Sequence, residues 1–169
     1  MVKLKQNDRQ FKGHTSPGFS LIELLIVVAI ILIIAAIAIP DLMRARIAAN
    51  QASAVESCRT ITSGQAMYYT LYTSFAPSLT ALGGPAVGTP SAANAQLIDD
   101  VLSAGNKSGY NFTYVALSPD PTGAFDNYAL NADPSAPGFT GINHYFTNEP
   151  SVIHMNPSAK ASAADPPLQ

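Results

Sequence analysis

The sequence predicts an α+β protein, a long N-terminal α-helix packed on a small antiparallel β-sheet head. Three observations predict it. From Leu24 to Ile39 no residue is polar. Beyond that run, apolar and small residues recur at three- and four-residue spacing as far as Tyr69. After Pro77 the periodicity changes to short segments rich in aromatic and β-branched residues, separated by turn residues.

Composition narrows the function. The chain has 169 residues, enough for one domain; 47% are hydrophobic and only 12% charged. A net charge of -2 gives no reason to expect nucleic acid as a partner. Residues 1–18 carry Lys3, Lys5, Arg9 and Lys12 against Asp8, a balance of +3, so the remainder sums to -5. A basic end ahead of an apolar run keeps that end in the cytoplasm and sends the rest across the membrane. Cys58 is the only cysteine, so no intrachain disulfide forms, and its helical spacing with Val55 and Ile61 marks it as a small buried hydrophobe.

The segment from Phe19 to Ile39 is long enough to cross a hydrocarbon core of about 30 Å as a helix. It fits a plain anchor. It also fits a secretory signal cut at Ala36-Ile37-Ala38, although its apolar stretch exceeds the usual ~7–15 residues. A third state is an anchor freed by a cut between Gly18 and Phe19. Glu23 bears on the choice. Ser20-Leu21-Ile22-Glu23 fits a capping box, which would satisfy free backbone N–H groups at the helix start. A carboxylate within a spanning segment also costs about 2.5–3.5 kcal/mol, less near the edge, and needs a partner. A chain that begins at Phe19 carries a new α-amino group, positive at neutral pH and at the depth of Glu23. Between neighbouring helices, one copy's amine can neutralise the next copy's carboxylate.

Gly18-Phe19-Ser20-Leu21-Ile22-Glu23, followed by the apolar helix and Ala36-Ile37-Ala38-Ile39-Pro40, resembles the N-terminal signature of type IV prepilins. Pseudopilins of type II secretion share it. The resemblance implies a cytoplasmic leader over residues 1–18, removed after Gly18 by a membrane peptidase that also N-methylates Phe19. It implies a transmembrane and assembly helix over 19–40, with Glu23 as the assembly glutamate and Pro40 as the kinking proline, and a globular head over 41–169. Where the family commonly has a glycine in mid-run, this chain has Leu32. The implied protein is a structural subunit, not an enzyme. It starts as a single-pass precursor in the inner membrane with its head outside, and then joins an extracellular helical fibre. The implied partners are further copies of the chain, the prepilin peptidase/N-methyltransferase, an inner-membrane platform protein, an assembly ATPase and, before assembly, membrane lipid. A pseudopilin of a type II secretion system is the alternative, and a secreted or anchored binding module outside the family is the second.

After Pro40 the stripe Leu42, Ala45, Ala49, Ala52, Val55, Cys58, Thr62, Ala66 and Tyr69 is expected to face the head, with Asp41, Arg44, Arg46, Glu56 and Arg59 outside it. One helix of about fifty residues, roughly 80 Å, should therefore run from near Ser20 to near Tyr72. Leu79–Pro90 reads as a loop. Ala95–Ala104 reads as a short helix with Leu97, Val101 and Leu102 inward and Asp99 and Asp100 outward. Strands are expected at Tyr110–Leu117, Asn127–Asn131, His144–Thr147 and Ser151–Asn156. Turns are expected at Pro119-Asp120-Pro121, Asp133-Pro134 and Asn148-Glu149-Pro150. The last thirteen residues read as a flexible tail or one draped on the surface.

No P-loop, dinucleotide fingerprint, G-x-S-x-G or C-x-x-C is present, and no cofactor or metal is expected. His14 falls in the expected leader. His144 and His154 flank a turn, and a metal pair there would lack further ligands. Asp120, Asp126 and Asp133 match no EF-hand spacing and read as turn and capping residues. Tyr68, Tyr69, Tyr72 and Phe75 read as core packing. Asn106-Lys107-Ser108 and Asn111-Phe112-Thr113 fit the glycosylation pattern.

Overall fold

The computed structural model describes residues 18–85 and 88–168; the expected leader up to residue 17, with its lysines and His14, lies outside the described residues. A helix α1 runs over Leu21–Tyr72, followed by the one-turn helices α2 (Leu79–Leu82) and α3 (Asp100–Ser103). Five strands follow: β1 (Asn106–Lys107), β2 (Tyr110–Pro119), β3 (Phe125–Pro134), β4 (His144–Asn148) and β5 (His154–Asn156). They form one antiparallel sheet in chain order. The chain divides into two units, Met1–Ile39 and Pro40–Gln169.

In the second unit, the helix packs on the sheet through Ala54, Ser57, Cys58, Ile61, Gly64, Gln65 and Tyr68. This face differs from the expected stripe. Of the residues expected to face inward, only Cys58 is fully buried; Leu42, Ala66 and Tyr69 are exposed. Apolar spacing misplaces the face because three of its buried positions are Ser57, Gly64 and Gln65. Gly64 is needed for close approach: a Cβ there would stand 3.2 Å from Ile98 Cγ2. Gln65 uses its Oε1 to accept the Ala76 N–H at 2.9 Å, which fixes the chain where it leaves the helix. Tyr114, in β2, donates its hydroxyl to the Ala76 carbonyl at 2.6 Å and binds the same junction from the sheet side.

The region expected to be a loop after Leu79 contains α2, capped by the Ser78 hydroxyl, which accepts the Ala81 N–H at 3.1 Å. In α3, Asp99 is the cap, accepting the Leu102 N–H at 2.8 Å, and Lys107 pairs with its second oxygen at 2.9 Å. Val101 is 58% exposed rather than inward, and Ile98 takes the buried place, because capping at Asp99 sets the phase of this single turn. Asp133-Pro134 ends β3 rather than forming a turn. Pro134 lies opposite Tyr110, beyond Ala132, the last residue of β3 that pairs with β4. Its missing N–H therefore costs no ladder bond to β4. The chain reverses after it, through Ser135–Gly141, where the Tyr110 ring lies against Gly141 in the space a Cβ would fill.

The C-terminal segment is draped along β5 rather than hanging free. Met155 N–H bonds to the Pro166 carbonyl at 3.0 Å and Leu168 N–H to the Ile153 carbonyl at 2.7 Å. Asn131 donates to the Ala161 carbonyl at 2.8 Å in a buried contact. Asp165 locks the return: its carboxylate accepts from Ser162 N–H at 2.7 Å, Ser162 Oγ at 2.9 Å and Asn156 Nδ2 at 2.8 Å.

Two expectations follow. Hydrogen bonds from the Ser162 backbone and hydroxyl hold the Asp165 carboxyl below the usual carboxylate range. A depressed folded-state pKa gives stability above the unfolded value of about 3.9, which is lost as pH falls through the folded value. The Leu168 and Met155 amides should therefore stay protected at pH 4 and lose protection only at lower pH, as read by hydrogen exchange. Cys58 is fully buried, and burial pushes its thiol up to about 12. Maleimide labelling at pH 8 should be negligible in the native protein and complete in denaturant.

Candidate assembly site

A helix apolar on every side has no stable place in water and must be covered by lipid or by protein. The first unit presents such a surface. Every large apolar side chain from Phe19 to Ile39 is exposed, Phe19 at 76% and mid-run Leu32 at 64%. The segment is long and apolar enough to cross a membrane. The helix continues through Leu32 and through Pro40 without interruption.

Glu23 stands exposed in the first turn of α1, where the helix dipole favours negative charge. Among the described residues it is the only charged one between Gly18 and Ile39. The capping box that Ser20 and Glu23 could make is not formed among the described residues. The bond at this helix start is a backbone one, from Leu24 N–H to the Ser20 carbonyl at 3.2 Å, and among the described residues neither the Ser20 hydroxyl nor the Glu23 carboxylate joins in. Gly18 is also unconstrained by the fold. A Cβ there would meet nothing within 4 Å, so local packing does not call for a glycine.

The head carries the other residues singled out in the sequence. His144 and His154 do not face each other: His144 lies opposite Asn156, and His154 opposite Phe146. The Nδ1 of His144 is 2.6 Å from Asp133 Oδ1, whereas His154 donates from Nδ1 to the Asp165 carbonyl at 2.6 Å. Asp120 caps its own turn, accepting from Thr122 N–H at 2.8 Å, Thr122 Oγ1 at 2.6 Å and Ala124 N–H at 2.9 Å. These bonds, the Thr122 side chain first, hold its carboxyl below the usual range. Asn106 and Asn111 are both exposed and lie opposite each other on β1 and β2.

The aromatic cluster at the end of α1 divides. Tyr68 enters the core and donates its hydroxyl to the Ala92 carbonyl at 2.7 Å, with the Tyr72 ring tilted against it at 4.6 Å. Tyr69 instead turns outward against Phe75 at 4.9 Å, and Phe75 meets Tyr128 edge-on at 5.1 Å. That second group borders a cavity with Asp126 and Glu149. The sequence reading missed it, because the two acids are 23 positions apart and meet only through the sheet register.

Comparison with known proteins gives two matches. The family described as "Prokaryotic N-terminal methylation motif" matches residues 14–39. The chain is similar to the type IV wide pilus major component PilA4 of Thermus thermophilus, with 38% identity over 113 residues. That match spans 63% of this chain and 85% of the relative. The alignment reaches well past the N-terminal motif and into the head, and the chain belongs to the type IV pilin family.

Proposed function

We propose that this chain is the structural subunit of a type IV pilus fibre. It is made as a membrane-anchored precursor, cut after Gly18, methylated on Phe19 and polymerised through the Phe19–Ile39 helices. The observation that carries the reading is the fully uncovered apolar helix with one carboxylate at its head. Lipid can cover that surface in the precursor; in a fibre only other copies of the same helix can. A relative that is a major pilus component favours the pilus over the secretion pseudopilus. The prepilin peptidase, a platform membrane protein and an assembly ATPase are the partners this life cycle requires. Pro40, which lacks an N–H for the Ala36 carbonyl, is the proposed place for the helix to bend.

Glu23 is proposed to pair with the amine of Phe19 on an adjacent copy. Methylation keeps that amine positive. Near the membrane edge both groups reach headgroups and water; in a fibre core neither does. Removing one partner of a buried pair costs about 3–5 kcal/mol because the other charge is left alone. That corresponds to roughly two to three and a half orders of magnitude in each contact.

Intact mass of the mature subunit tests the processing. It should start at Phe19 with one added methyl group; a start at Ile39 would end the fibre reading. Glu23→Ala and Glu23→Gln should both be made, inserted and mostly cut, yet yield no fibres in the sheared surface fraction under the electron microscope. Parental fibre yield from Glu23→Gln would discard charge pairing.

A further inference from the structure

The sheet leaves a gap beside β3 in the head. Strand β3 starts at Phe125, but β4 pairs with it only over Ala129–Ala132. Where β4 ends, the chain turns through Glu149 and Pro150 to Ser151, whose N–H bonds to the Asn148 carbonyl at 2.8 Å. Ser151 holds a φ of +64°, a strained value for a residue with a side chain. Between this turn, the uncovered end of β3 and the last turns of α1 lies a cavity of about 330 Å³.

Its lining has a consistent chemistry. Tyr69, Phe75 and Tyr128 supply three aromatic rings, and Asp126 and Glu149 supply two carboxylates. Neither acid has a cationic partner among the described residues. Aromatic faces and carboxylates together fit a flat cation with many N–H donors, a guanidinium.

The same head displays such a group. Arg46 is exposed and has no carboxylate partner among the described residues; Arg44 stands 3.9 Å from Asp41, and Arg59 stands 3.6 Å from Glu56. We propose that the cavity bordered by Tyr69, Tyr128, Asp126 and Glu149 is a socket for Arg46 of a second copy of this chain. The contact rests on the fibre reading above. Arg46 precedes Thr62 and Tyr69 by 16 and 23 residues. At 1.5 Å rise per residue, two parallel copies joined this way are staggered by roughly 24–35 Å. The Glu23–Phe19 pair joins copies offset by only roughly 6 Å, so the socket would join copies further apart along the fibre and set that second, longer offset.

Charge reversal in the full-length protein, expressed in cells that assemble the parent, tests this. Arg46→Glu should lower sheared fibre yield about tenfold or more, as should Glu149→Arg, while Arg44→Glu stays near the parent. Arg46→Glu combined with Glu149→Arg should recover most of the yield. A second readout needs no recovery of charge: Arg46→Cys with Glu149→Cys should give interchain disulfide ladders from intact fibres, and either cysteine alone should not. Buried Cys58 does not interfere. Parental yield from Glu149→Arg would mean that the cavity takes a small organic cation or nothing, and would overturn the socket. Normal fibres from the double-cysteine variant with no ladder would overturn it as well. If the parent itself forms no fibre, the pilus reading falls, and the socket with it.

Discussion

An apolar surface that the chain cannot cover by itself governs this protein. From Phe19 to Ile39 the helix offers hydrophobic side chains all round its circumference. At about 25 cal/mol per Å² of apolar surface, leaving it in water is unfavourable. The molecule is therefore incomplete alone. Lipid supplies the cover in one environment, and like helices would supply it in another. In the proposed fibre Glu23 would distinguish the two, because a carboxylate tolerates a membrane edge and not an unpaired place inside a protein bundle.

The second half of α1 faces the opposite demand, a single face buried on a head without disulfides. That face is made by fit rather than by hydrophobicity. Gly64 admits Ile98 and Leu82, and Gln65 commits its carbonyl to the turn at Ala76. Tyr114 ties β2 to the same turn. One short stretch of main chain thus joins helix end and sheet, and buried tyrosines on three strands fill the layer between them.

This explains what was legible in the residues alone. The fold class and four of the five strands could be read, because aromatic alternation and turn residues are local signals. The apolar helix and its Gly18–Glu23 head could be read because the whole pattern lies in consecutive residues. The buried stripe of α1 could not: Ser57, Gly64 and Gln65 look like surface residues until their partners are known. Helix α2 depends on the Ser78 cap, and β1 is a two-residue strand, both too short to carry a period. The cavity at Asp126 and Glu149 depends on β3 outrunning β4, a register fact that no local pattern contains.

The draped C-terminus has a consequence for any assembly in which many copies lie side by side. A bare outer strand offers a row of donors and acceptors to the next molecule and invites pairing of the wrong kind. Here β5 is three residues long, and its outer side already engages the returning chain. That chain carries Pro166 and Pro167, two successive residues with no N–H to offer a neighbour. At the opposite margin β1 is only two residues long. The β5 margin is thus a poor template for strand addition by a neighbouring head, whereas on the other side β1 covers β2 only at Tyr110 and Asn111.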